Sequence, residues 1–361
     1  MTLSYHNIHN KFKLNGFYYN RQQLKTVAYS YIKEGDDYEK VTGNFLLNWL
    51  DDEDHIFVKT SGSTGQPKTI KLLKSAMVNS AIATGTFFKL KPSNTALNCL
   101  PTDYIAGKMM LVRALVLGLE IDCVKPSTQP VFNFEKHYDF CAMIPLQVQH
   151  TLQKTKHIKT IIIGGSKVSK PLLEQIKNCN SFFYETYGMT ETITHIAVKQ
   201  LQSKSAKGEL YFNALPNVKF NQDNRDCLII DAPNVSDKSI ITNDIVNLIS
   251  ETEFQLLGRF DTIINSGGVK LFPEQIEDKL QPVIKERFFI ASEKDTNLGE
   301  KLIVVIENPQ QSLSTIMTTI SKLKTLDKFE IPKKIYTLNT FIETTTGKIQ
   351  RKKTLKAIFG S

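Results

Sequence analysis

The chain has 361 residues, 41% of them hydrophobic and 22% charged, which excludes a disordered or fibrous protein and, at roughly 150 residues per domain, suggests two domains. Its formal net charge is +9, but lysine and arginine are scattered and no recognition-module signature accompanies them, so nucleic-acid binding is not expected. The five cysteines Cys99, Cys123, Cys141, Cys179 and Cys227 have no paired spacing, which argues against a zinc site or a disulfide framework and for a reducing, cytoplasmic setting.

In chain order, the N-terminus lacks an apolar signal segment, and the first 50 residues carry helical and loop signals without recognisable chemistry. The most apolar stretch, 109–119, is short and interrupted by Arg113, so no membrane span is expected. From about residue 55 to 230, β-rich runs at 55–58, 138–144, 160–163 and 181–184 alternate with helix-compatible segments, predicting a large α/β domain. Gly, Ser and Thr collect behind these runs at 61–65, 164–165 and 188, and open α/β sheets bind ligands beyond the carboxyl ends of their strands. After Gly258 the pattern becomes a small α+β unit. It has a helix opened by Pro273, strands near 288–290 and 302–306, a helix over 314–326 and a strand over 334–338.

Four local patterns carry chemistry. Behind the run at 55–58 stand Thr60, Ser61, Gly62, Ser63, Thr64, Gly65, Gln66, Pro67 and Lys68. Glycines turn backbone N–H groups inward, the hydroxyls add donors and Lys68 adds charge, which suits phosphate; the order is not that of a Walker A loop, and a surface turn is the plain alternative. Next come Tyr187, Gly188, Met189, Thr190 and Glu191. A carboxylate beside a hydroxyl at a strand end suits a magnesium ion bridging phosphates, and the tyrosine offers a face to a purine, although a lone glutamate there also reads as a helix-start acid. The third pattern joins Asp244 to Arg259, Asp261, Gly267, Gly268 and Lys270. Asp244 suits ribose hydroxyls, while the glycine pair allows either close approach to a ligand or a simple turn. The last is Gly347-Lys348 within a basic tail, where Lys348 is a mobile positive charge or one solvated lysine among many.

Together and in this order, the four patterns resemble those of the adenylate-forming superfamily of acyl-CoA synthetases, adenylation domains and luciferases. The resemblance spans about residues 55 to 355. It implies an N-terminal adenylation domain over 1–260, trimmed at its start, and a small mobile C-terminal α+β domain over 261–361, hinged at Asp261. It places Thr60, Ser61, Gly62, Ser63, Thr64, Gly65 and Lys68 around ATP phosphates, and Tyr187, Gly188 and Met189 by the adenine. Glu191 falls on Mg²⁺ with Thr190 beside it, Asp244 and Arg259 on the ribose, and Lys348 at the reacting carboxylate. Gly164 and Gly165 border the acyl pocket, Gly267 and Gly268 line the acyl or thiol-acceptor channel, and Lys270 stands where relatives often carry a basic residue. Asn243 departs from the glycine usual before the ribose aspartate.

Within the superfamily, the segment from Leu100-Pro101 through Tyr104, Gly107 and Lys108 to Arg113 looks like that of o-succinylbenzoate:CoA ligases of menaquinone synthesis, with Tyr104 in place of histidine. Lys108 is then a partner for a substrate carboxylate or a structural helix lysine. The implied activity is AMP-forming ligation of a small carboxylic acid to coenzyme A, with ATP, Mg²⁺ and coenzyme A required. The alternatives are adenylation of another acid for a carrier protein, and an inactive nucleotide-binding relative. Lys348→Ala is expected to lower ATP–pyrophosphate exchange by about 10²- to 10³-fold while sparing nucleotide binding, the cost of removing a preorganised charge from a developing anion.

Overall fold

The computed structural model describes residues 3–59, 69–202, 211–343 and 349–360. Its larger sheet has 13 strands, of which five form a parallel core in the spatial order Glu120–Cys123, Thr95–Asn98, Tyr138–Met143, Ile158–Ile163, Phe182–Gly188. Strand periodicity divides the side chains between two layers. Ala96, Phe140, Ala142 and Ile162 face one core, which is packed by helices α1 (Arg21–Glu34), α2 (Asp37–Leu50), α3 (Lys74–Phe88) and α4 (Ile105–Leu117). Leu97, Cys141, Met143, Ile161 and Ile163 face the other, under α5 (Pro145–Thr151) and α6 (Lys170–Ile176).

At the N-terminus, Lys13–Leu14 pairs with Phe17–Tyr18 across Asn15 and Gly16, whose φ values of +50° and +87° make the tight turn typical of two-residue hairpins. Helix α1 then starts at a capping box, the Asn20 side chain accepting from the Gln23 amide at 2.9 Å.

Two expectations are corrected here. The run at 55–58 is a strand, His55–Lys59, but among the described residues it pairs with Thr69–Leu73 alone, in a separate two-stranded sheet. The alternation expected up to residue 230 also ends at Gly188. From His195–Gln200 onward the large sheet continues through Phe212–Ala214, Glu253–Arg259, Ile240–Ser250, Cys227–Asp231 and Lys219–Gln222, all antiparallel. The connections 215–218, 223–226 and 251–252 are too short for crossover helices. In the Lys219–Gln222/Cys227–Asp231 hairpin, for example, Asp223 accepts from the Arg225 and Cys227 amides at 2.8 and 3.0 Å and Asp226 takes φ +63°.

Beyond Arg259 a five-stranded sheet assembles from Ile264–Ser266, Val269–Leu271, Phe288–Asp295, Gly299–Glu307 and Lys334–Leu338. It carries α7 (Pro273–Leu280), α8 (Leu313–Ser321, shorter than the expected 314–326) and α9 (Arg351–Phe359). This small unit meets the large sheet's strands and loops through Gln275 Nε2 to the Leu257 carbonyl at 3.2 Å and through a Lys167–Asp278 ion pair. Among the described residues no helix is long and apolar enough to cross a membrane, and all five cysteines are free.

Helix α9 is tied to α7 by Arg351, which donates to Glu277 Oε2 at 2.8 Å, while Glu277 Oε1 accepts from the Ile290 amide at 2.8 Å. The Glu277 side chain is only 19% exposed, and burial, helped by nearby Glu274, outweighs Arg351 and raises its pKa to about 7. The folded chain therefore holds this proton up to about pH 7, whereas the ordinary value is 4.5. The stability it contributes is complete below the lower value and lost as pH rises through the higher one. Glu277→Gln, which stays neutral, is expected to gain roughly 2–4 °C in Tm relative to the parent as pH is raised from about 5 to about 8, read from parallel thermal melts.

Candidate functional site

The parallel strands end on one edge of the sheet, and that edge gathers four chain segments: 99–104, Ile144, Gly164–Gly165 and 188–192. Strand Phe182–Gly188 runs further than the sequence suggested, so Tyr187 and Gly188 belong to it rather than following it. Gly188 pairs with His195 on the returning strand so closely that a Cβ would lie 2.3 Å from the Thr194 carbonyl oxygen. Between them the chain makes a single 3-10 turn, Thr190–Thr192, closed by the Met189 amide donating to Thr192 Oγ1 at 2.9 Å and ended by Ile193 at φ +65°. A non-glycine residue there is strained, which marks the turn as held by its surroundings. Thr190 and Glu191 are thereby presented at the strand end; Glu191 is exposed and has no ion-pair partner among the described residues. An uncommitted carboxylate fits a magnesium ion that takes its remaining ligands from phosphates and water.

A second group lies where the antiparallel half adjoins this turn. Asp244 and Arg259 are directly opposed in their hairpin, with Arg259 Nη1 3.2 Å from Asp244 Oδ1. Asp244 Oδ2 accepts from the Tyr187 hydroxyl at 2.5 Å, and the Asp244 amide donates to Thr242 Oγ1 at 3.0 Å. Burial, reinforced by the Asp244 charge, raises the Tyr187 phenol far above its usual pKa, so it remains a donor. Arg259 also reaches Asp261 at 2.9 Å, and Asp261 is exposed. Asn243 is used as well, its side-chain oxygen accepting from Arg225 at 3.3 Å.

Gly164 follows strand Ile158–Ile163, where a Cβ would come within 2.7 Å of Thr186 Oγ1, and Gly165 has φ +86°. The loop is pinned below by buried Glu185, which accepts from the Val168 amide at 3.1 Å and pairs with Lys199 at 2.5 Å. Tyr104 is the N-cap of α4 and is 45% exposed. Gly107 sits against the Pro101 carbonyl, 2.4 Å from where a Cβ would be, so only glycine lets α4 pack on the Leu-Pro segment. Lys108 turns back onto the same segment, donating to the Thr102 and Asp103 carbonyls and lying 5.5 Å from the Phe45 ring centre. Burial lowers its pKa. This is the structural-lysine alternative, and it leaves one ammonium proton uncommitted.

Arg113 breaks the apolar 109–119 stretch and closes the segment that resembles the o-succinylbenzoate ligases, yet neither sign implies a role for it. The side chain is 1% exposed, donates weakly to Met110 Sδ at 3.6 Å, and leaves Nε and Nη2 without partners among the described residues. Burial lowers its pKa to about 9. Nearby His195 is also buried, with Nε2 3.3 Å from Thr84 Oγ1, and burial together with the Arg113 charge holds it neutral.

Gly267 and Gly268, at φ +58° and +81°, form the two-residue turn between Ile264–Ser266 and Val269–Leu271, which is the simple-turn alternative; Lys270 is exposed on that hairpin. Thr60, Ser61, Gly62, Ser63, Thr64, Gly65, Lys68 and Lys348 lie outside the described residues. Next to Lys348, Ile349 bridges Glu343 and Arg351 pairs with Glu277.

A family model described as AMP-binding enzyme matches residues 22–222. The 2-succinylbenzoate–CoA ligase of Staphylococcus aureus is 25% identical over 322 residues, covering 81% of this chain and 65% of the relative. The chain thus spans about 65% of the length of this curated relative, and 68% of the Bacillus cytotoxicus ligase of the same name, to which it is 23% identical. Among solved structures, an acyl-CoA synthetase (AMP-forming)/AMP-acid ligase II-like protein from Dyadobacter fermentans is 32% identical, with TM-score 0.61 over 92% of this chain and 98% of that one. The o-succinylbenzoate CoA synthetase of Bacillus subtilis, in complex with the acyl-adenylate intermediate OSB-AMP, shares the fold at TM-score 0.70 and 20% identity, over 82% of this chain and 68% of that one.

Because the Gly188 Cα approaches the Thr194 backbone so closely, Gly188→Ala is expected to displace the 189–194 turn. It should cost about 1–3 kcal/mol and weaken nucleotide binding, read by thermal melts with and without Mg·ATP.

Proposed function

This chain belongs to the family of AMP-binding enzymes, and from that premise we propose that it activates a small carboxylic acid with ATP as an acyl-adenylate and transfers the acyl group to coenzyme A. The observation that carries the reading is the continuity of two groups. Tyr187 holds Asp244, suited to ribose hydroxyls, and the next residues of the same strand form the turn that presents Thr190 and Glu191. In this reading Arg259 joins Asp244 on the ribose, and Glu191 with Thr190 holds the magnesium ion. When bound, that ion neutralises charge on the nucleotide phosphates.

The reaction is attack of the substrate carboxylate on the α-phosphorus of ATP with loss of pyrophosphate, so the protein's work is positioning and charge neutralisation. Lys68 and Lys348 are the proposed cations at the phosphates and at the carboxylate. The unit 261–361 is proposed to turn about Asp261 relative to 1–260, withdrawing Lys348 and admitting the thiol. Lys270 and the Gly267–Gly268 turn move with it.

We propose o-succinylbenzoate as the acid, the substrate class named for the curated relatives. This acid has two carboxylates: one is adenylated and the other requires a cation. Arg113 supports that choice, because an arginine buried with two unused donor atoms is costly unless something anionic or polar engages it. Lys108, with one free proton, is a weaker candidate for the same role.

ATP–pyrophosphate exchange against a panel of aryl, fatty and amino acids tests the reading, with o-succinylbenzoate expected to be the active member. Exchange with a different acid would keep the chemistry and discard the substrate; silence across the panel would remove both. Free coenzyme A compared with a carrier protein identifies the acceptor. Arg113→Met is expected to separate stability from activity. It should raise the melting temperature, by about 1 kcal/mol or more in stability, while lowering exchange with the dicarboxylic acid by about tenfold or more.

A further inference from the structure

Loop 164–170, which follows strand Ile158–Ile163 at the carboxyl edge of the sheet, is fastened from two directions. From the large unit, the Gly164 amide donates to the Met143 carbonyl at 3.1 Å, and the Val168 amide donates to Glu185 Oε1 at 3.1 Å. Glu185 is 6% exposed and its other oxygen meets Lys199, so this side of the loop is rooted in strand Phe182–Gly188 and its antiparallel neighbour. From the small unit, Asp278 pairs with Lys167, and Gln281 Oε1 accepts from the Lys170 amide at 3.4 Å. That amide needs a partner. Helix α6 begins at Lys170, and Ser169 takes the Leu172 amide on its hydroxyl and the Leu173 amide on its carbonyl. Pro171 has no N–H, so Lys170 carries the first-turn donor that the helix itself does not satisfy.

Asp278 and Gln281 are three residues apart and share a face at the far end of α7. Nearer the start of α7, Glu274 Oε1 accepts from Thr262 Oγ1 at 3.1 Å and Gln275 Nε2 donates to the Leu257 carbonyl at 3.2 Å, both within a few residues of Asp261. A rotation about Asp261 displaces contacts in proportion to their distance from it. Those at Thr262 and Leu257 shift least, whereas Lys167–Asp278 and Lys170–Gln281, about 5–10 Å further along the helix, part first. An ion pair whose lysine is 57% exposed is weak, which suits a contact broken and remade in every turnover.

We propose that loop 164–170 is the ledge on which the small unit is seated for one of the two half-reactions, and that Lys167 is a positioning residue that holds α7 there. The proposal rests on the adenylation and rotation reading above and adds to it a named contact that the rotation must break. Because Gly164 and Gly165 stand at the head of the same loop, the seat of the small unit is also the wall proposed for the acid.

Lys167→Ala tests this, with its folding checked by melting temperature. The half-reactions are followed separately, as ATP–pyrophosphate exchange with the acid active in the panel and as thioester formation on coenzyme A in a single turnover. Releasing the seat is expected to move them in opposite senses, so that their ratio changes by about two- to fivefold, the range of an exposed ion pair. The exchanged pair, Lys167→Asp with Asp278→Lys, should restore the parental ratio. A covalent lock gives the larger effect. A water-soluble carbodiimide joins a lysine amine to a carboxylate it touches, forming an amide, whereas Lys167→Arg keeps the ion pair and cannot be joined. The Lys167–Asp278 cross-link, identified as a linked peptide by mass spectrometry, should abolish one half-reaction and spare the other, relative to Lys167→Arg treated in the same way. A ratio unmoved in Lys167→Ala, a fall of both half-reactions together, or a cross-linked chain that runs both as fast as treated Lys167→Arg would overturn the ledge and leave the adenylation reading standing. A parental chain silent in exchange with every acid would overturn that reading, and the ledge with it.

Discussion

Strand Phe182–Gly188 has to satisfy two kinds of neighbour at once. On one side it pairs in parallel with Ile158–Ile163, and on the other it pairs antiparallel with His195–Gln200. A parallel neighbour requires a long crossover, while an antiparallel one allows an immediate return, so the chain must reverse just beyond Gly188 in the space of a few residues. That reversal forces the contact between Gly188 and the Thr194 carbonyl, the left-handed Ile193 and the single turn that holds Glu191 out at the carboxyl edge of the parallel strands. The next strands of the antiparallel half bring Asp244 and Arg259 to the same place, because Asp244 is opposed to Arg259 in one hairpin and bonded to Tyr187 in the other half of the seam. The proposed nucleotide site is therefore a consequence of where the sheet changes its pairing.

Two buried ionisable groups show how the chain trades stability against use. Arg113 is sealed into the layer beneath α4 with two unpartnered donor atoms, and its charge helps to hold His195 neutral. A core optimised only for stability would place an apolar side chain there. Glu277 is different: Arg351 and the Ile290 amide both bond to it, so its burial ties α9, the helix that follows Lys348, to α7 beside the strand that ends at Arg259. The first group reads as a cost borne for a ligand, the second as an internal anchor of the smaller unit.

Much of this was legible from residue order alone. The strand runs at 138–144 and 160–163, the Pro273 helix and the strand Lys334–Leu338 follow from turn chemistry and hydrophobic period, which act over a few neighbouring residues. The four chemical motifs were visible for a similar reason: glycines, hydroxyls and charges at fixed local offsets need no knowledge of the fold. What residue order could not settle was which strands become neighbours. His55–Lys59 has the composition of a sheet strand and yet leaves the main sheet, and the change to antiparallel pairing after Gly188 carries no local mark.

By itself, the sequence determined the α/β character and the family and nominated the residues proposed to handle a nucleotide, because propensity, period and motif spacing are local properties. Only the tertiary structure decided what several of those residues do. Gly267 and Gly268 lie in a hairpin turn, Lys108 donates to carbonyls of its own loop, and Tyr187 packs on Phe212 and Phe254 and donates to Asp244. Arg113 acquired its meaning only when its surroundings were seen to leave it unpaired. Burial and hydrogen-bond partnership are set by segments up to 155 residues apart, and no local pattern in the chain encodes them.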